Sequence, residues 1–357
     1  MNGPTQAETT RVFARIGLLS FGGPAAQIAL MHRELVEQRP WLTEAQFLNA
    51  LSFCMLLPGP EAMQLATYTG WRLHGVRGGL IAGLLFVIPG AIVVAALAMG
   101  YAFYGQIPMV EAMFMGVKAA VVVIVIEALL RVAKKALNGP AHWAIAAASF
   151  IGIFFLALPF PLIIGLAGLF GIITGRGENT ASPPIAMANP LRTIATWLLI
   201  WWGPVALLWA SGATFLTQIA LFFSKLALVT FGGAYAVLAY MTQAAVTDKN
   251  WLTTPQMMDG LGLAETTPGP LILVTEFVGF MAGFGTGGVW LGLAGAMVAI
   301  WVTFTPCFLW IFTGAPFIDW IATRPRLRHA LSAITAAVVG VILNLSLWFA
   351  LHVFFGK

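Results

Sequence analysis

The chain has 357 residues, of which 60% are hydrophobic and 9% are charged, and its formal net charge is +5. A soluble globule carries about 25% charged residues, so the composition excludes a soluble protein and indicates lipid as the solvent for most of the surface. The basic excess is typical of cytoplasmic loops in membrane proteins, and no basic cluster interleaved with aromatics indicates nucleic-acid binding.

Apolar stretches of roughly membrane-spanning length follow one another along the chain, without the alternation of barrel strands. In the first part, the predicted helices cover residues 11–36, 47–71, 78–104, 112–133, 141–157 and 160–175. In the second part, they cover residues 193–212, 219–245, 257–283, 288–312 and 329–354. The sequence therefore predicts an all-α polytopic membrane protein with about 11 transmembrane helices.

The chain repeats itself at an interval of 210 residues. Three motifs recur in register: FGG (21–23 and 231–233), WLT (41–43 and 251–253) and PGP (58–60 and 268–270). Apolar bias alone would not align three such motifs, so we predict two related halves, a common plan of secondary transporters. The predicted units are a first repeat (8–175), a polar linker (176–192), a connecting helix (193–216) and a second repeat (217–357).

Basic residues predict opposite orientations for the two halves. In the first half they follow the second and fourth predicted helices: Arg72, Arg77, Arg131, Lys134 and Lys135. In the second half they follow the third repeat helix: Arg324, Arg326 and Arg328. By the positive-inside rule, equivalent loops then lie on opposite membrane faces. This predicts inverted repeats with a cytoplasmic N-terminus, provided that 141–157 and 160–175 both cross the membrane.

The FGG motif interrupts a segment that would otherwise form one long helix. Each glycine destabilises a helix interior by about 1 kcal/mol relative to alanine, and Pro24 fits best at the first position of a new helix. We therefore predict broken helices whose second parts begin at Pro24 and near Ala234. Free N–H groups at such a start would bind an anion without a charged side chain. Close helix packing through small residues is the alternative.

The PGP motif predicts a second break in each half, with an acid beside it. Glu61 follows the first PGP, whereas Leu271 takes the equivalent position and Glu265 precedes the second PGP. Glu61 either complements the helix dipole or takes part in substrate gating or proton coupling.

Two cations also correspond, since Arg15 and Lys225 each lie six residues before an FGG motif, inside an apolar stretch. Charges at that depth usually face a cavity or a partner, unless they snorkel to the interface. We favour attraction of an anion, because both halves keep a positive charge. The predicted substrate-binding residues are Arg15, Gly22, Gly23, Pro24, Pro58, Gly59, Pro60, Glu61, Gln64, Lys225, Gly232, Gly233, Glu265, Pro268, Gly269 and Pro270.

No pattern indicates an enzyme, a cofactor or a metal site. Zincin, Walker, nucleophile-elbow and Rossmann motifs are absent from the sequence, and the five histidines are scattered. Cys54 and Cys307 lie in apolar segments, which favours two small buried residues over a disulfide. A membrane-embedded enzyme such as a reductase is the alternative class.

These motifs resemble the chromate ion transporter family in its long, two-domain form. The resemblance rests on FGGP at 21–24, LPGPEAMQLA at 57–66, FGGA at 231–234 and TTPGP at 266–270, and it covers nearly the whole chain. The second half departs from the pattern, with Ala234 in place of the proline and Leu271 in place of the acid.

The resemblance implies a bacterial inner-membrane exporter of chromate that gives resistance, with sulfate as the natural mimic. Exporting a dianion from a negative-inside cell gains about 4.6 kcal/mol per 100 mV. The alternative is a proton-coupled sulfate importer, which would need about three or more protons to cancel that term; Glu61, Glu265 and Glu276 could serve such coupling. The sequence leaves open whether the protein forms a homodimer.

Overall fold

The computed structural model describes residues 3–105, 107–109, 136–156, 158–175, 190–231, 234–318 and 324–355, with parts of 114–134. The regular secondary structure of these residues is helical, with no strand among them. The predicted helix over 112–133 lies largely outside the described residues, as does the linker up to residue 189. Residues 190–192, predicted as the end of the linker, already belong to a helix.

Twelve α-helices have both ends within the described residues, and some of the described residues between 114 and 134 are helical as well. In the first half the complete helices are α1 (Gln6–Leu19), α2 (Gly23–His32), α3 (Glu44–Leu56), α4 (Glu61–Tyr104), α5 (Pro140–Phe154) and α6 (Phe160–Thr174). In the second half they are α7 (Pro190–Ala210), α8 (Thr214–Val229), α9 (Ala234–Gln243), α10 (Thr254–Thr266), α11 (Val274–Gly314) and α12 (Pro325–Phe355). A π-helical turn extends both α2 (Arg33–Glu37) and α9 (Ala244–Asp248).

Among the described residues, four helical stretches are long and apolar enough to cross a membrane: Glu61–Tyr104, Pro190–Ala210, Leu271–Phe317 and Pro325–Leu347. Pro190–Ala210 lies within a few residues of the predicted helix 193–212, whereas Glu61–Tyr104 and Leu271–Phe317 begin 14 residues after the predicted pairs that start at 47 and 257. The shorter helices α5, α6 and α8 are also apolar. The protein is therefore a multi-pass helical membrane protein, while the count of 11 crossings stays a prediction.

The breaks predicted from glycine and proline are present. The predicted helix 11–36 is divided into α1 and α2 at the first FGG, and the predicted helix 219–245 into α8 and α9 at the second. The two PGP motifs separate α3 from α4 and α10 from the 3₁₀ turn Leu271–Leu273 that precedes α11.

The helices α4 and α11 each fold back on themselves at a glycine. In α4 the backbone leaves the helical region at His74 and Gly75, where φ is +62° at the glycine. A Cβ atom added to Gly70 would overlap the carbonyl oxygen of Gly78. In a straight helix, residues eight apart are separated by about 12 Å, so this contact requires an antiparallel hairpin. The break at Gly287 and Gly288 reverses α11 in the same way.

The stretches that follow the two PGP motifs form the centre of the molecule. Residues 62–70 and 267–283 are buried on every face. The helices α4 and α11 pack against each other, α1 packs on α4, and α8 packs on α11. On the other side, α12 packs on α5 and α6. The segments next to the PGP breaks are thus enclosed by protein rather than by lipid.

The close backbone contact within the α4 hairpin can be tested by its effect on stability. Gly70→Ala should destabilise the protein by about 1–3 kcal/mol, because the new methyl group would overlap the backbone of Gly78. Gly100→Ala is the matched control in the same helix, because a Cβ atom there meets nothing within 4 Å. Thermal unfolding in detergent should show a lower midpoint for the first variant only. Equal midpoints would contradict the hairpin.

Candidate functional site

The first FGG break has a backbone conformation that favours glycine. The helix α1 ends at Ser20, whose hydroxyl donates to the carbonyl of Ile16 at 2.6 Å. Gly22 has φ of +82° and caps α2, and Gly23 has φ of +74°. Pro24 lies in the first turn of α2, as the sequence predicted. The break therefore results from two left-handed glycines followed by a helix-starting proline.

The two PGP breaks have matching geometry. Gly59 and Gly269 have φ values of +117° and +92°, and both are buried. Pro60 is the N-cap residue of α4, and Pro270 is that of the 3₁₀ turn before α11. Each motif thus ends one helix and starts another within three residues.

Each PGP break is hydrogen-bonded to the FGG break of the other half. The N–H of Gly59 donates to the carbonyl of Thr230 at 2.7 Å, and the N–H of Gly269 donates to the carbonyl of Ser20 at 2.9 Å. Thr230 lies 210 residues after Ser20, as Gly269 does after Gly59, so the two bonds are equivalent. Reciprocal contacts of this kind are what a two-fold relation between the halves produces.

The helices after the breaks close over these contacts. A Cβ atom added to Gly90 in α4 would overlap the carbonyl oxygen of Pro268. A Cβ atom added to Gly59 would lie 2.9 Å from the sulfur of Cys307 in α11. Cys307 lies 217 residues after Gly90, the interval that relates the later parts of the halves. Both cysteines are free and buried, in agreement with the sequence prediction.

Two buried glutamines, both in the first half, donate hydrogen bonds to carbonyl oxygens at the breaks. The side-chain amide of Gln27 donates to the carbonyl oxygens of Gly269 at 2.7 Å and Ser20 at 3.3 Å. The amide of Gln64 donates to the carbonyl of Pro58 at 2.7 Å. The sequence analysis did not select Gln27. A single glutamine in an apolar stretch, with Val237 at the equivalent position, was the available signal.

The helix N-termini at the breaks lack side-chain caps: Gly22, Pro60 and Pro270 provide none. The N-termini of α5, α6 and α8 are also uncapped, whereas Thr5, Thr43 and Thr253 cap α1, α3 and α10 with their hydroxyl oxygens. The breaks differ from α5, α6 and α8 in lying next to the buried centre, where N–H groups and positive dipole ends without a capping oxygen could meet an anion.

Acidic residues lie in and near the central stretches. Glu61 and Glu265 are half-buried beside their breaks, at the positions that the sequence indicated. Glu276 in α11 is buried, and its Oε2 has no hydrogen-bond partner among the described residues. Asp259 in α10, which the sequence analysis did not select, is buried and accepts a hydrogen bond from the hydroxyl of Tyr101 at 2.8 Å. Carboxyl groups at such depth usually have a function.

The two predicted cations have different partners. Arg15 is 55% exposed, and its Nη1 lies 3.7 Å from Oε1 of Glu34. The Nζ of Lys225 lies 5.6 Å from the ring centre of Tyr240. Gly232 and Gly233 lie outside the described residues, although α9 begins at Ala234 as predicted.

Gln27 provides a test of the contact between the halves. Gln27→Leu removes the donor to the Gly269 carbonyl and should lower stability by about 1–3 kcal/mol, because a buried acceptor loses that bond. Gln38→Leu, at an exposed position, is the control. Thermal unfolding of both variants measures the difference. An unchanged midpoint in Gln27→Leu would contradict the importance of this bond.

Comparison with known proteins places the chain in a family. The profile described as chromate transporter matches residues 7–172 and 217–356. The chain is 30% identical over 348 residues to a chromate transport protein of Cupriavidus metallidurans, covering 95% of this chain and 81% of that protein. It is 32% identical over 340 residues to a chromate transport protein of Pseudomonas aeruginosa, covering 92% and 77%. No solved structure matches. The chain belongs to the chromate transporter family.

Proposed function

We propose that this protein exports chromate from the cytoplasm across the inner membrane and so gives resistance to chromate. The single observation that carries the proposal is the pair of reciprocal hydrogen bonds, Gly59 to Thr230 and Gly269 to Ser20. These bonds bring the uncapped helix starts of one half to the breaks of the other, between the repeats, where transporter sites lie. The names of the relatives supply chromate as the substrate.

The chemistry of the breaks suits a tetrahedral oxyanion. Backbone N–H groups at helix starts donate hydrogen bonds and present positive dipole ends. Gly22, Gly23, Gly232 and Gly233 would let the ligand approach the backbone, and the prolines of both PGP motifs would hold the breaks open. Gln64, Glu61 and Glu265 would line the same place and act in gating. Sulfate, with the same shape and charge, would compete with chromate.

The proposed topology has two inverted repeats, residues 8–175 and 217–357, with a cytoplasmic N-terminus. The positive-inside rule supports it, because the basic loops change their position between the halves. The reciprocal bonds support a two-fold relation, and an axis in the membrane plane would produce both features. Alternating access would then come from movement of one repeat against the other around the shared breaks.

Labelling of engineered cysteines tests the topology. Thiols placed at Arg131 and at Arg326 should both react with a membrane-impermeant reagent from the cytoplasmic side, because both belong to clusters of basic residues at helix ends. Inside-out vesicles and intact cells give the two sides. Labelling of the two positions from opposite sides would contradict the inverted arrangement.

The direction of transport follows from the membrane potential. A dianion that leaves a negative-inside cell gains about 4.6 kcal/mol per 100 mV, so export needs no co-transported ion. Import of sulfate would need about three or more protons to reverse that term. Buried carboxyls such as Glu276 keep this second function open.

Flux in proteoliposomes tests the proposal. With imposed potentials and pH gradients, radiolabelled chromate should move toward the positive side without a proton gradient, because the potential alone drives a dianion. Gly22→Leu should abolish this flux, since its side chain would fill the break at a left-handed backbone position. Gly100→Leu, in open space on α4, is the control. Flux that requires a proton gradient would support the importer instead.

A further inference from the structure

The two halves have positive charges at the same two positions, but these charges have different partners. Arg15 and Arg39 in the first half correspond to Lys225 and Lys249 in the second, each 210 residues later. Glu34 lies between the first two in sequence, but its equivalent position holds Ala244. Both halves thus keep the two positive charges, whereas only the first half has the acid between them.

In the first half, these residues form an ion cluster. Glu34 Oε1 lies 3.7 Å from Nη1 of Arg15, and Glu34 Oε2 lies 2.5 Å from Nη1 of Arg39. The carboxylate is 1% exposed, whereas the guanidiniums are 55% and 30% exposed. The first-half cluster of Arg15, Glu34 and Arg39 therefore carries a net charge of +1, with the acid inside and the cations toward its accessible side.

In the second half, aromatic rings take the place of the acid. The Nζ of Lys225 lies 5.6 Å from the ring centre of Tyr240, and the Nζ of Lys249 lies 4.9 Å from that of Trp251 and 5.5 Å from that of Phe222. Among the described residues, no carboxylate lies within 4 Å of either Nζ. A ring face attracts a cation without neutralising it. This second-half cluster of two lysines and three rings therefore keeps a charge of +2.

We propose that Glu34 is an internal counter-anion that competes with the transported oxyanion for Arg15 and Arg39, so that the two halves bind the oxyanion with unequal strength. The inference rests on the proposed function, and it adds these cations to the groups that attract the substrate. A guanidinium binds a carboxylate and a tetrahedral oxyanion with the same donors, so the two exclude each other. Ammonium groups held by rings have no such competitor.

The asymmetry would distinguish the two faces of the membrane. In inverted repeats, equivalent segments face opposite sides, so the two clusters would serve opposite faces. The face served by the second-half cluster would bind the oxyanion at lower concentration, and the face served by the first-half cluster would release it more readily. Glu34 cannot change the equilibrium across the membrane, which the gradient and the potential determine. It changes the substrate concentration at which each face is half-saturated.

Half-saturation measured from each face tests the proposal. An engineered exposed cysteine lets an impermeant thiol reagent silence one orientation in proteoliposomes, so that chromate, and separately sulfate, can be supplied to either face. Glu34→Gln keeps the size of the side chain and removes the charge. It should lower the half-saturating concentration from one face by about tenfold and leave the other face unchanged. Equal half-saturation in wild type and variant from both faces would overturn the proposal.

A second pair of variants tests the proposal independently, in case the Glu34→Gln protein does not fold. Ala244→Glu installs the acid in the second-half cluster, and Ala244→Gln is its uncharged match at the same buried position. Relative to Ala244→Gln, Ala244→Glu should raise half-saturation from the face opposite to the one affected by Glu34→Gln. If the two Ala244 variants have the same half-saturation from both faces, the proposal is wrong.

Variants in which a cation is replaced by a neutral side chain distinguish failure of this inference from failure of the proposed function. Arg15→Gln and Lys225→Gln should each reduce chromate flux strongly, because each removes a charge from the proposed pathway. If both leave flux and half-saturation at wild-type values, the cations play no part in transport and this inference is rejected, whereas the proposed site at the helix breaks is unaffected. If both reduce flux while Glu34→Gln and Ala244→Glu leave half-saturation unchanged, only the role of Glu34 is rejected.

Discussion

Every backbone polar group freed by a helix break in a dry interior needs a new partner, and this structure meets that need across the repeats. The end of α1 frees the carbonyl of Ser20, and the end of α8 frees that of Thr230. The N–H groups of Gly269 and Gly59 bind these two carbonyls. The fold therefore depends on two copies of the same unit in contact at their breaks.

The same constraint explains the glycines at the contact. Gly59 and Gly269 take positive φ values so that their N–H groups point toward the other half, a conformation that side chains disfavour. Gly90 allows α4 to touch the opposing PGP backbone, while Cys307 fills the equivalent place in α11. Backbone geometry is thus shared by the halves, whereas side chains differ at matching positions.

The sequence predicted those features that depend on local chemistry. The breaks at FGG and PGP follow from glycine and proline, and α5 and α6 begin and end within a few residues of prediction because prolines start both. It also predicted where α4 and α11 reverse, because the predicted helices end at residues 71 and 283 and begin again at 78 and 288, on either side of the breaks at Gly75 and Gly287–Gly288. Glu34 was not selected from the sequence, because its burial depends on Arg15, 19 residues away, and on the turn that follows α2.

The two halves have matching backbone contacts but different side chains, and this difference would affect the energies of the transport states. If both halves had the same side chains at their breaks, the inward-facing and outward-facing states would have equal energies and equal affinities for the substrate. Gln27 gives the first half a hydrogen bond that Val237 cannot make, and Glu34 gives it a negative charge that Ala244 lacks. Each difference would give the inward-facing and outward-facing states unequal energies. Shared backbone contacts would thus permit the exchange between states, and the unshared side chains would set the population of each.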